Sequence, residues 1–245
     1  MPSAPALHPL DLDATNVVVE TYDPKAMVDW AAKEFKGGLV MSSSFGAESA
    51  LLIHLATRAL PDIRIIFIDT GYLFSETHAF MEDLRHRFDL NLWVYRTRND
   101  PIEYLSRAGE TDPTVRRDVE NCCAVNKNEP FDRAMRQLQP AAWLRGIRRQ
   151  QGESRAARKP VEWSDRYQCY AISPLLNWGR REIHQYLKQH DLPYHPMFDR
   201  GFTSIGCNPL TCTRAIQPGE DPRSGRWAGM DKVECGLHLE NGAGI

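Results

Sequence analysis

Six cysteines stand in this chain of 245 residues, and their spacing sorts them into kinds. Cys122 and Cys123 are adjacent. Consecutive side chains on a helix diverge by about 100°, so both can touch one object only if it is larger than an atom. A multi-iron cluster, in which each iron takes its own thiolate, meets that condition. A lone Zn²⁺ more naturally uses a C-x-x-C pair. Further on, GCNPLTC supplies Cys207 and Cys212. Two pairs of thiolates suit a [4Fe–4S] site; the plain alternative is four unrelated thiols. Cys169, in the middle of YQCYAIS, reads as a buried small hydrophobe. Cys235 differs from all of these. It lies in VECGLHLENG, near Arg223, Arg226, Lys232 and His238. Cationic neighbours lower a thiol's pKa and raise its thiolate fraction. On an extended tail such a thiolate can reach a crevice, react and swing out to a partner. An incidental exposed thiol is the alternative.

Three further stretches carry polar chemistry. SSSFGAES, from Ser42 to Ser49, joins a strand to a helix. Three hydroxyls and a glycine at a helix N-terminus suit an anion, because free amides and the helix dipole both favour negative charge. No lysine follows the glycine, so the turn is not a Walker A loop. A serine-rich cap with no ligand is the competing reading, but a second polar strand end, IDTGYLF with Asp69, Thr70 and Gly71, argues against it. Adjacent polar strand ends make a ligand crevice. The third stretch, WLRGIRRQQGESRAARK, is basic. Arg158 and Lys159 read as a solvated face. Arg145 directly follows a strand and is expected to point into the crevice.

These groups need a frame. Strand-like runs at residues 39–44, 63–69, 91–96, 141–146 and 169–175 alternate with helix-like stretches at 48–60, 75–88, 115–138 and 179–190. An earlier helix should start at Pro24, capped by Asp23, and Ser75 should cap the helix that it opens. The alternation predicts an α/β fold with a doubly wound, mostly parallel sheet. Residues 1–15 read as a loose arm, 16–200 as the α/β domain, and 201–245 as an extended Cys- and Arg-rich segment rather than a second core. Composition is that of a globular protein, 42% hydrophobic and 25% charged with net charge −2. No global field attracts nucleic acid or an anionic membrane. No secretory signal or long apolar run is visible, so a cytoplasmic location is expected. Oligomeric state is left open, a homo-oligomer included.

In order along the chain, SSSFGAES, IDTGYLF, CC-x₃-K ending at Lys127, LRGIRRQQ, SIGC…CTR, GRW and ECGLH resemble the assimilatory sulfonucleotide reductases. The likeness is to their iron–sulfur, adenylyl-sulfate-using branch and covers roughly residues 39–240. It implies an adenine nucleotide α-hydrolase-like fold related to the PP-loop pyrophosphatases. It implies that Cys235 attacks the sulfur of adenosine 5′-phosphosulfate, that AMP leaves, and that thioredoxin or glutaredoxin releases sulfite from the S-sulfocysteine. Lys127, Arg223, Arg226 and His238 would then line the phosphosulfate. Ser42, Ser43, Ser44, Phe45 and Gly46 would form the nucleotide turn, with Asp69, Thr70 and Gly71 nearby and Arg145 on the ribose or phosphate side. Cys122, Cys123, Cys207 and Cys212 would hold a [4Fe–4S] cluster that tunes Lys127 without passing electrons to substrate. No thioredoxin-like C-x-x-C domain follows residue 240, so the reductant would be a separate protein.

One departure stands out. The family spaces its second cysteine pair C-x-x-C, whereas four residues, 208–211, separate Cys207 from Cys212. Three rivals accompany the main reading. A reductase of the 3′-phosphorylated nucleotide would generally lack the four cluster cysteines. An ATP-using relative would show an S-G-G-x-D-S turn where this chain has Ser43, Ser44 and Phe45. A non-catalytic iron–sulfur or zinc module would have no use for ECGLH.

Overall fold

The computed structural model describes residues 9–98, 116–208, 212–229, 232, 234 and 236–238, the side chains of 116–118 and 238 excepted. Its sheet is built from the apolar runs. Strands β1 (Leu39–Ser42), β2 (Arg64–Asp69), β3 (Leu92–Arg96), β4 (Ala142–Leu144), β5 (Val161–Ser164) and β6 (Cys169–Ile172) lie in the order β3-β2-β1-β4-β6-β5. All neighbours are parallel except β5, which runs antiparallel to β6. The strand β5 was not expected. Only Val161 and Ser164 at its ends are buried, Trp163 is exposed, and a short half-exposed edge strand leaves little apolar signal.

Leu39, Val40 and Met41 are all buried, as a central parallel strand requires when both faces are covered. On one face Leu39, Met41, Ile65, Phe67 and Leu144 pack with helices α2 (Pro24–Phe35), α3 (Ser49–Ala59), α4 (Ser75–Phe88) and α8 (Arg180–Gln189). On the other, Val40, Ile66, Trp143 and Ala171 meet Phe131, Ala134 and Met135 of α6 (Glu129–Leu138). The alternation along each strand thus splits the core into two layers. The expected helix over 115–138 is present as α5 (Arg116–Cys123) and α6, joined by a π-helical turn, Ala124–Asn128.

Capping sets several boundaries. Asp23 accepts from the Ala26 N–H at 2.7 Å, with Pro24 in the first helical turn. Ser75 is not the cap of α4; Phe74 holds that position in extended conformation, because its ring is buried against Phe202. Part of the expected loose arm is helical, since Asp11 caps α1 (Leu12–Val19). Asn16 of α1 exchanges hydrogen bonds with the Val161 backbone at 2.9 and 3.0 Å, covering the edge strand β5.

From β1 the chain winds outward through β2 to β3, then returns to β4 on the other side of β1. The carboxyl ends of β1 and β4 therefore part at a topological switch point, where doubly wound sheets leave a crevice. Beyond residue 190 the chain folds back over that end. Cys207 bridges Leu73, the Asn208 N–H donates to the Tyr72 carbonyl, and Met197 and Ile205 pack with Ala47 and Phe74. Among the described residues no helix is long and apolar enough to cross a membrane.

Candidate functional site

A pocket of about 320 Å³ opens at this switch point. Ser42, Ser43, Ser44 and Gly46 line it from the turn after β1, Thr70 from the end of β2, and Arg148 from the loop after β4. Lys127 enters from the π-helical turn, and Gly206, Cys207, Arg223 and Arg226 come from the returning segment. Sequence positions far apart thus converge, because each follows a strand end or folds back across one.

The serine turn is held from below. Its Ser43 N–H extends the sheet to the Ile66 carbonyl at 3.0 Å. Phe45 has φ 48°, a left-handed value that a bulky residue adopts only under constraint. That constraint comes from its fully buried ring, which meets Phe67 edge-on at 5.1 Å, and from its N–H donating to Ser43 Oγ at 3.1 Å. Phe45 therefore shapes the turn from the core and is not on the pocket wall.

Three other expected residues stand elsewhere. Arg145 does not point into the crevice. It is 2% exposed, donates through Nε to Ser173 Oγ at 2.9 Å, and pairs with Glu162 of β5. Burial lowers its pKa and the Glu162 charge offsets that, so its charge serves to pin the antiparallel edge. Asp69 is buried in an ion pair with Arg96 Nε at 2.8 Å and accepts the Gly71 N–H at 3.1 Å. It fixes the loop after β2, whose Gly71 has φ 78°, and only Thr70 of the three reaches the pocket wall. Three arginines not singled out from the sequence, Arg148, Arg155 and Arg180, do line it. Arg148 pairs with Glu48 at 2.6 Å and Arg155 with Glu234 at 2.6 Å.

The cysteines converge in part. Cys123, Cys207 and Cys212 meet in one small cluster with Val119, Trp227 and Leu237. Cys122, the neighbour of Cys123, accepts from Asn126 Nδ2 at 3.4 Å. Cys212 donates to Cys207; that bond lowers the Cys207 thiol pKa against the effect of burial, and Thr70 at 3.4 Å and the charges of Lys127 and Arg226 act in the same direction as the bond. The donor, Cys212, is held far above the ordinary thiol range by the same bond and by burial. Among the described residues no three His, Cys, Asp or Glu side chains surround a point that a single metal ion could fill. Thiolates are the donors that an iron–sulfur cluster takes. Beside these thiols, Arg226 Nε and Trp227 Nε1 are buried donors with no acceptor among the described residues. Sulfides of an iron–sulfur cluster accept such hydrogen bonds. Cys169 is fully buried in β6, as read from the sequence. Cys235 and the side chain of His238 lie outside the described residues.

Residues 38–214 match the phosphoadenosine phosphosulfate reductase domain. The chain is 42% identical to a phosphoadenosine 5′-phosphosulfate reductase of Synechococcus sp. over 96% of its length and all of the relative's. It is 40% identical to a protein of the same name from Xylella fastidiosa, over 96% and 97%. In fold it is similar to the phosphate complex of phosphoadenylyl-sulfate reductase from Candida auris. The TM-score is 0.71 at 22% identity, covering 84% of this chain and 98% of that one. FMN adenylyltransferase of Candida glabrata has the same kind of sheet, with TM-score 0.58 at 19% identity over 84% of this chain and 65% of that one.

Proposed function

This chain belongs to the phosphoadenosine phosphosulfate reductase domain family, the sulfonucleotide reductases, and from that premise we propose that it reduces adenosine 5′-phosphosulfate to sulfite and AMP. The observation that carries this reading is one pocket that joins an amide- and hydroxyl-rich turn, Ser42 to Gly46, with Lys127, Arg223 and Arg226. Cys235 supplies a thiolate whose sulfur forms a bond to the sulfate sulfur. The bond from that sulfur to the bridging oxygen breaks, and AMP leaves with the electron pair. Two anions must meet in this step, so cations fixed in the pocket offset their repulsion. An external dithiol, thioredoxin or glutaredoxin, then attacks Cys235 Sγ. It supplies two electrons, is oxidised to its disulfide, and releases sulfite.

Cys122, Cys123, Cys207 and Cys212 would hold a [4Fe–4S] cluster, which supplies a fixed charge beside Lys127. Lys127 lies four residues after Cys123 on the same helical run, so any group on these thiols sets that lysine's position and field. The lysine in turn orients the phosphosulfate. Cys207 and Cys212 are in contact with each other here, so they would have to separate to hold two irons of one cluster.

The names of the relatives favour a second reading, the 3′-phosphorylated nucleotide. The paired cysteines favour the unphosphorylated one. Mass spectrometry of reduced protein mixed with adenosine 5′-phosphosulfate, before any reductant, is expected to find SO₃ added to the peptide bearing Cys235. Cys235→Ser should abolish that adduct while nucleotide still binds. Absence of the adduct in the parent protein overturns the proposal, and a large kcat/KM preference for the 3′-phosphate selects the second reading.

A further inference from the structure

On the pocket wall, a pair of opposite charges is buried next to the position assigned to the nucleophile. Glu234 precedes Cys235, and one of its carboxylate oxygens accepts from both Nε and Nη2 of Arg155, at 2.7 and 2.6 Å. Both side chains are less than a tenth exposed. Arg155, on the short helix α7 (Glu153–Ala156), also donates to Gln151 Oε1, which accepts the Arg148 N–H at 3.0 Å. Arg148 in turn holds Glu48, the residue that opens α3 after the serine turn. A chain of polar contacts thus runs from the serine turn to one flank of Cys235.

The other flank is held separately. Gly236 follows Cys235, and its carbonyl accepts from Arg166 Nη1 at 2.8 Å. Arg166 Nη2 grips both carboxylate oxygens of Asp132, at 2.6 and 2.8 Å. Asp132 lies on α6, the helix that continues from the turn bearing Lys127. One flank is therefore tied to the nucleotide turn and the other to the helix of the phosphosulfate lysine.

A buried ion pair is a poor source of stability, because desolvation offsets most of its attraction. Its strength is to fix relative position. Nucleophilic attack depends on position more than on any other variable, since reacting atoms must approach to about 3–3.5 Å and a 1 Å misplacement costs about a hundredfold. We propose that Arg155 and Arg166 are positioning residues that fix Glu234 and Gly236, the two chain neighbours of Cys235, and so govern the reactivity of its thiol. This rests on the reading of Cys235 as the nucleophile.

Two readouts test it. One needs no nucleotide: the rate at which iodoacetamide alkylates Cys235, followed by peptide mass spectrometry so that the other thiols do not count. The other is the single-turnover rate of S-sulfonation at saturating adenosine 5′-phosphosulfate. In Arg155→Met, Glu234→Gln and Arg166→Met, alkylation is expected to rise about tenfold as the segment is released. S-sulfonation should fall about a hundredfold, with the nucleotide dissociation constant moving far less. The double variant Arg155→Met with Glu234→Gln removes both charges of the pair and keeps the test open if a single variant fails to fold. It should be no slower than the worse single variant. Arg155→Lys should recover most of the rate. Folded variants with lowered melting temperatures but unchanged alkylation and S-sulfonation overturn the proposal, as does a loss confined to nucleotide affinity. If the parent protein takes up no SO₃, the reading of Cys235 fails on its own, and the alkylation rates alone decide the positioning role.

Discussion

Gly206 contributes to the site by having no side chain. A Cβ at that position would stand 2.5 Å from Arg226 Cζ and Nη2 and 2.8 Å from Nη1. The guanidinium occupies that space while lying over the Trp227 ring at 4.5 Å and donating to the Ile205 carbonyl at 3.3 Å. A guanidinium ends a flexible stem, so an added methyl displaces it without breaking the fold. Gly206→Ala is therefore expected to raise the nucleotide KM about tenfold, a loss of about 1.4 kcal/mol of binding, with an unchanged melting temperature. Gly37→Ala, whose methyl meets nothing within 4 Å, is the matched control. Equal KM values for the two variants would remove Arg226 from the anion site. The same scale explains a misreading. Arg145 and Arg148 both follow β4, and order along the chain does not tell which turns inward. The answer depends on Glu162 of β5, an edge strand that leaves little trace in the sequence, and on Glu48, a hundred residues before Arg148. The serine turn, by contrast, was legible because its chemistry is local: a strand, hydroxyls, a glycine and a helix in eight residues.

At the scale of elements, the π-helical turn Ala124–Asn128 decides how Lys127 stands relative to the cysteines before it. Periodicity alone predicts one unbroken helix over this region, since a one-residue offset is lost among so few apolar positions. Such turns add one residue to a helix and rotate the downstream residues by about 100°. Here that rotation lets Cys123 face Trp227 and Cys212 while Lys127 lines the pocket and Phe131 enters the core. Deleting Ala124, whose side chain is exposed, should restore regular α-geometry with little loss of packing. Far-UV circular dichroism is expected to remain near that of the parent. Turnover should fall by at least about a hundredfold, because Lys127 and the cysteines can no longer serve one site. A deletion variant with parental turnover would make the π-turn incidental. The remaining elements were readable where burial is two-sided and opaque where it is not, as β1 and β5 illustrate. The links that close the site, Arg155 to Glu234 and Arg166 to Gly236, span 79 and 70 residues and have no local signature.

For the molecule as a whole, stability should depend on one neutral histidine where the returning segment meets the sheet. The His195 N–H donates to the Ala47 carbonyl just past the serine turn. In its ring, Nδ1 accepts the Met197 N–H at 3.1 Å, so the neutral tautomer carries its proton on Nε2 and donates to Thr77 Oγ1 of α4 at 3.0 Å. The residue is 1% exposed, and burial lowers its pKa to about 4; Glu76 and Arg200 act in opposite directions, and they pair with each other at 2.6 Å. A protonated ring would place two donors against the Met197 amide and lose that hydrogen bond. The folded-state value lies below the unfolded one, near 6.5, so the unfolded chain takes up a proton that the folded protein refuses. The stabilisation is complete above about pH 6.5 and declines as pH falls toward 4, by up to about 3 kcal/mol. His195→Gln keeps polar groups in the cavity and does not titrate there. Urea unfolding at pH 7.5, 6 and 4.5 should show the parent losing more stability than this variant across the series. Equal losses would assign acid sensitivity to the carboxylates instead. The junction that weakens holds Met197 and Ile205 against Ala47 and Phe74. Loss of nucleotide binding should therefore set in at a higher pH than loss of the sheet itself, because the returning segment supplies Arg223 and Arg226 of the pocket while the strands pack without it.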